Sequence, residues 1–156
     1  MTPREWESMY RDFMRAGNDE VFYASEHRGA WSNEFETFDL QNSKASLSIY
    51  AISVTRFAAL KAHEQLTREG IHISLHHISH LKPLQVPPPF TRRVLVLDDD
   101  YEAGVAQPIA FELHHAFGVE AHVLGLPNRT AGFAAWNDVL PPNAEDIVKK
   151  VKEILK

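Results

Sequence analysis

Residues 47–78 read LSIYAISVTRFAALKAHEQLTREGIHISLHHI, and this stretch decides the fold. Leu47 to Val54 is an apolar run of strand length and β-rich composition. Thr55 follows as a candidate N-cap, and Arg56 to Glu69 carries Phe57, Leu60 and Leu66 at helical spacing. Gly70 supplies the left-handed turn that ends such a helix. Ile71 to Ile78 then returns to alternation, with Ile71, Ile73 and Leu75 on one side. A strand, a helix of about fourteen residues and a second strand make a crossover unit, whose two strands lie parallel.

The same grammar repeats downstream. Arg93 to Leu97 is a buried-type strand expected to stop at Asp98-Asp99-Asp100. Glu102 to Phe117 reads as a helix closed by Gly118, and Val119 to Leu124 as a strand. Residues 125–141 read as a loop carrying Phe133 and Trp136. Asn143, paired with Asp146, caps a terminal helix whose lysines favour its C-terminal end. Strands separated by helices of this length predict an α/β, three-layer sandwich with a mostly parallel sheet.

Upstream, Thr2, Pro3 and Glu5 mark a helix start, and Trp6, Met9, Tyr10, Phe13 and Met14 recur along one face. Gly17 ends it, and Val21 to Ser25 reads as a short strand. Residues 26–46 show no sustained period and read as a connector. Charge divides at the same place: residues 1–42 hold 9 acids and 4 bases, while 43–156 hold 12 of each.

Composition excludes several functions. The 156 residues are 44% hydrophobic and 24% charged with net charge −5, an ordinary globular balance. No basic surplus favours nucleic acid or an anionic membrane. The longest apolar runs are too short to cross a bilayer, and the acidic N-terminus does not resemble a targeting peptide, so a cytoplasmic site is the default expectation. There is no cysteine, hence no disulfide and no thiolate chemistry. The seven glycines stand at least seven residues apart, so neither phosphate-cradling glycine motif can be drawn.

Three clusters could carry chemistry. His72, His76, His77 and His80 fall within nine residues, but positions four apart on a strand are separated by about 13 Å, too far to share one metal. Half-buried or interface histidines are the favoured reading, and His114-His115, adjacent on a helix, face different ways. Asp98-Asp99-Asp100 end a strand where open parallel sheets bind ligands. They can accept a ribose hydroxyl or hold magnesium; the plainer reading, favoured because no glycine-rich turn accompanies them, is that one caps the next helix. Glu26-His27-Arg28 combines an acid, a base and a guanidinium, as active-site residues or as a charged subunit rim. No G-x-S-x-G elbow is present.

Over about 110 residues the chain resembles the C-terminal domain of the transketolase superfamily, in particular the beta chains of 2-oxo acid dehydrogenase decarboxylating components and deoxyxylulose phosphate synthase. The resemblance rests on Ala58 to Ile71, Leu81-Lys82-Pro83-Leu84, Val94 to Asp100 with Gly104, and Val123-Leu124-Gly125-Leu126-Pro127. Residues 1–46 resemble the end of the preceding pyrimidine-binding domain plus a connector, and 47–156 the C-terminal domain. Two departures stand out: a helix usual after Leu84 is reduced to Val86–Thr91, and a double glycine is Ala103-Gly104.

The resemblance implies a thiamine-diphosphate and magnesium enzyme whose cofactor is held by partner chains, since the Gly-Asp-Gly motif is absent here. It implies the C-terminal subunit of a split enzyme of transketolase or 2-oxo acid dehydrogenase type, in a homo- or hetero-oligomer. Glu26, His27 and Arg28 would be rim residues of the shared site, with His27 donating a proton and Arg28 holding a carboxylate or phosphate. Trp6, Tyr10, Phe13, Trp31, Phe35 and Phe38 would meet the partner, or else pack on their own body. The competing expectations are a binding or regulatory module without activity, and a small stand-alone enzyme using Asp98–Asp100. A natural split gene and a shortened piece are equally compatible with the sequence.

Overall fold

The computed structural model describes residues 3–16, 39–81, 84–127 and 141–156. The chain divides into two units, Met1–Phe38 and Asp39–Lys156. In the first, α1 spans Pro3–Ala16. Pro3 opens it, as its fixed φ and missing N–H favour at a first helical position. Trp6 and Tyr10, one turn apart, stack with centroids 5.0 Å apart, and Glu7 pairs with Arg11 on the adjacent stripe.

The second unit contains β1 (Leu47–Ile52), α2 (Thr55–Arg68), β2 (Ile73–Ile78), the two-residue strands β3 (His80–Leu81) and β4 (Leu84–Gln85), β5 (Arg93–Tyr101), α3 (Ala106–Phe117), β6 (Glu120–Leu126) and α4 (Ala144–Ile154). The main sheet has the order β2-β1-β5-β6, all parallel. The α/β architecture expected from the strand–helix alternation is therefore present. Beyond β2, Leu40 pairs antiparallel with Leu75 through two backbone hydrogen bonds of 2.8 Å, so residues 39–42 cover that edge.

Alternation sorts the side chains onto two faces. Leu47, Ile49, Ile73, Leu75, Leu95 and Leu97 are buried on one; α2 and α4 pack against each other there. Tyr50, Ile52, Ile78, Val94 and Val96 point to the other and join Ile109 and Leu113 of α3. The chain leaves β1 toward β2 and then crosses back to β5, so the order reverses between β1 and β5.

Several boundaries depart from the sequence reading, each for a local reason. Thr55 is the first residue of α2 rather than its cap; its hydroxyl donates back to the Ile52 carbonyl at 2.6 Å. The turn into the helix uses Ser53 at φ 55. On α2 the buried residues include Ala59, Ala62 and Leu66, while Phe57 and Leu60 are half-exposed: close approach to the sheet selects the small side chains. Strand β5 does not stop at the aspartates but runs through them to Tyr101, with an irregularity in its pairing to β6 after Leu97. The following helix starts at Ala106, not Glu102. At Gly118, with φ 65, and at Asn143 and Asp146, which form a reciprocal capping box, the reading holds; Thr2 and Gly17 lie outside the described residues.

Among the described residues the crossover from β2 to β5 has no helix. It consists of the β3–β4 pair and residues 86–92, an extended strap rich in proline. The strap is tied down by Tyr50, whose hydroxyl donates to the Pro87 carbonyl at 2.7 Å, and by Thr91, which donates to Ser48 Oγ at 2.9 Å.

Candidate functional site

Open parallel sheets place ligands at the carboxyl ends of the strands, where the strand order reverses. Here that position lies between the ends of β1 and β5. Asp98 occupies it, 3% exposed. Its Oδ2 accepts from the Ala106 amide at 3.1 Å and its Oδ1 from the Asp100 amide at 3.2 Å. Burial raises its pKa, the two amides oppose that shift, and the neighbouring Asp99 and Asp100 charges add to it. Asp98 thus caps α3 from a distance, the plainer of the two readings of the aspartate run, and Asp99 and Asp100 are half-exposed and exposed.

The backbone around Asp98 is closely packed. A Cβ at Gly125 would stand 2.6 Å from the Asp100 carbonyl oxygen, and one at Gly104 would stand 2.8 Å from that of Tyr101. These glycines permit close approach of protein to protein, not a cradle open to a diphosphate. The described residues do not fit thiamine diphosphate: they offer no glycine-rich turn, and the buried carboxylate at the strand end is already engaged by two amides.

A second polar group gathers at the β2 edge. Asp39 accepts from the His77 amide at 3.0 Å. Its Oδ2 stands 3.7 Å from Nδ1 of His76, whose side chain is fully buried. The sheet register sets His76 beside Tyr50, and the two rings stack at 4.9 Å; Phe90 of the strap lies over His76 at 6.5 Å. On the other face, the Arg56 guanidinium reaches within 3.4 Å of the His77 ring and lies 4.8 Å from the Phe57 centroid. Burial lowers the pKa of His76 against the pull of Asp39. Burial, then Asp39, pushes Tyr50 well above the usual phenol range.

His76 and His77 therefore face opposite sides of β2, His72 precedes that strand and His80 belongs to β3; among the described residues no three His, Asp or Glu side chains converge as a metal site would require. His114 bonds the Val119 carbonyl at 2.7 Å, while His115 stacks on Phe111; the two diverge as adjacent helical residues must. Glu26, His27 and Arg28 lie outside the described residues, as do Trp31, Phe35 and Phe38. Of the expected contact residues, Trp6 and Phe13 are half-buried and Tyr10 is 40% exposed on α1.

Asp39 and Arg56 were not singled out by sequence reasoning. Arg56 left a trace: a cation in the first turn of a helix opposes the macrodipole, so its presence there asks for another cause. Asp39 left none, because its partners are 37 and 38 residues away. An open groove of about 590 Å³ runs between Leu84, Gln85, Val86 and Pro87 on one side and Glu112, Ala116 and Phe117 of α3 on the other. Among the described residues no helix is long and apolar enough to cross a membrane.

No family profile matches the chain, and no curated protein does. Solved structures do. A split gene transketolase, described as an inactive beta4 tetramer, superposes with a TM-score of 0.60 at 20% identity, covering 70% of this chain and 38% of that one. The 2-oxoglutarate:ferredoxin oxidoreductase from Magnetococcus marinus, solved with 2-oxoglutarate, coenzyme A and succinyl-CoA bound, superposes with a TM-score of 0.52 at 17% identity, covering 99% of this chain and 24% of that one. The chain thus spans well under half the length of either. At these identities the likeness is one of architecture: the four parallel strands and their flanking helices form a transketolase C-terminal-like fold.

Proposed function

We propose that this chain is the C-terminal subunit of a split thiamine-diphosphate-dependent enzyme, acting on a 2-oxo acid or transferring a two-carbon ketol or acyl unit. Partner chains would bind the cofactor and magnesium, and this chain would supply the subunit interface. The observation that carries the reading is the fold shared with a split gene transketolase chain more than twice as long as the matched part. The engaged Asp98 and the absent Gly-Asp-Gly motif agree with a subunit that leaves the cofactor to others.

In this reading residues 1–46 are the end of a pyrimidine-binding domain and its connector, and α1 offers Trp6, Tyr10 and Phe13 to the partner. Glu26, His27 and Arg28 stand at the rim of the shared site, His27 as a proton donor and Arg28 as an anion holder. The experiment is reconstitution. The purified chain should bind no thiamine diphosphate and show no turnover. Activity should appear when the chain that co-purifies with it is added. Tight cofactor binding by the isolated chain would sink the proposal.

A second reading is a binding or regulatory module that keeps the fold without activity. The extended strap in place of a crossover helix favours it. Co-purification separates the two: a partner with a Gly-Asp-Gly motif supports the enzyme, and a partner without one supports the module.

A further inference from the structure

Buried polar groups in folded proteins are almost always hydrogen-bonded, and an exception asks for a reason. His76 is such an exception. It is fully buried, and among the described residues neither ring nitrogen has a hydrogen bond. Asp39, at 3.7 Å, is near enough for attraction and too far for a bond. The ring stacks with Tyr50 at 4.9 Å and with Phe90 at 6.5 Å.

What lies beside it is the strap, held by the Tyr50–Pro87 and Thr91–Ser48 hydrogen bonds and by Leu84 and Val86 against the core. Residues 86–92 belong to no helix or strand, and Phe90, the residue that covers the imidazole, is itself 65% exposed. An open groove runs beside Val86 and Pro87, between the strap and α3. The strap's one ionisable side chain is Arg92, itself a cation, and residues 84–91 have none. The strap therefore cannot answer a charge on the ring beneath it.

We propose that the strap over His76 is an acid-responsive cover, which lifts when the imidazole takes up a proton. The step needs only a proton from solvent: one ring nitrogen accepts it, and both N–H groups then require acceptors. The titratable groups facing the ring are Asp39 from the edge segment and Tyr50 from β1; the Tyr50 hydroxyl is already committed to Pro87. Arg56 and His77 lie on the opposite face of the sheet. One carboxylate at 3.7 Å leaves the second N–H unanswered. Water is the available acceptor, and it enters where Phe90 stands. The depressed pKa of His76 fits this direction, since a proton bound more weakly under the cover favours the uncovered state. The inference is independent of the thiamine-diphosphate reading.

The test is hydrogen exchange of peptides spanning residues 84–92 in the full chain, between pH 8 and pH 5, corrected for the intrinsic pH dependence of exchange. Strap exchange should rise roughly three- to tenfold on acidification, while peptides of β1 and β5 stay protected. His76→Phe, which fills the same space without titrating, should abolish the rise. Asp39→Asn should enlarge it, because Asp39 stabilises the charged ring under the closed cover. A strap whose exchange ignores pH in the wild type, or a pH response that survives in His76→Phe, overturns the proposal. If His76→Phe does not fold, Asp39→Asn decides alone: an unchanged or smaller response counts against the cover.

Discussion

Asp98 Oδ2 accepts a hydrogen bond from the Ala106 amide at 3.1 Å, across eight residues of chain. Strand β5 and helix α3 are thereby tied at the point where an α/β sheet ordinarily meets its ligand, and the carboxylate is used in holding the fold together.

Removing that carboxylate leaves a buried amide of α3 without an acceptor. Asp98→Ala should destabilise the chain by about 1–3 kcal/mol, read as a lower urea midpoint. Asp98→Asn keeps an acceptor without the buried charge and should cost less at pH 7. Because the folded pKa of Asp98 is raised, its contribution is full below the ordinary carboxylate value and declines as pH rises through the folded value. Asp98→Asn should flatten that part of the stability–pH curve.

Gly125 is needed for space. Its substitution by alanine brings a Cβ within 2.6 Å of the Asp100 oxygen and 3.0 Å of the Glu102 nitrogen, both backbone atoms. The pairing of β5 with β6 must shift to accept it, at about 1–3 kcal/mol. Equilibrium denaturation measures this, and the fold should survive by circular dichroism.

Asn143 begins α4 with bonds to the Glu145 and Asp146 amides at 2.8 and 3.0 Å. Asn143→Ala should cost about 1 kcal/mol. Asn143→Ser should recover most of it, and a thermal melt of both variants separates capping from packing.

Acidification should weaken the chain through His76. Its folded pKa lies below the unfolded value, so its stability contribution is intact above about pH 6.5 and lost as pH falls through the folded value. Urea midpoints compared at pH 7.5 and pH 5.5 should fall in the wild type, and fall less in His76→Phe.

If α1 meets a partner chain, Trp6→Glu combined with Phe13→Glu should weaken association by at least about tenfold. The unfolding midpoint of the isolated chain should change little. A partner bound as tightly as before would place the interface elsewhere.

Much of this architecture was legible in residue order. The apolar runs at Leu47 and Val94, the helix-ending Gly118 and the Asn143–Asp146 pair each act within a few residues, and local physics alone specifies them. The parallel sheet followed from helices long enough to cross it. What local patterns could not supply was the pairing of distant groups. Whether β5 stops at Asp98 depends on β6 lying beside it, and which face of α2 is buried depends on how closely the sheet approaches, which favours Ala59 and Ala62 over Phe57.

The histidine run makes the same division. Sequence by itself predicted one strand through His72, His76 and His80, whereas the structure keeps only His76 and His77 on β2 and sets His80 on β3. Only the tertiary structure decided that His76 is the buried one, stacked on Tyr50 by the register of β1 with β2, beside a strap from the β2–β5 crossover and an aspartate from the segment that precedes β1. Burial and charge are sums over neighbours in space, and those neighbours stand 14 to 37 residues away in the chain.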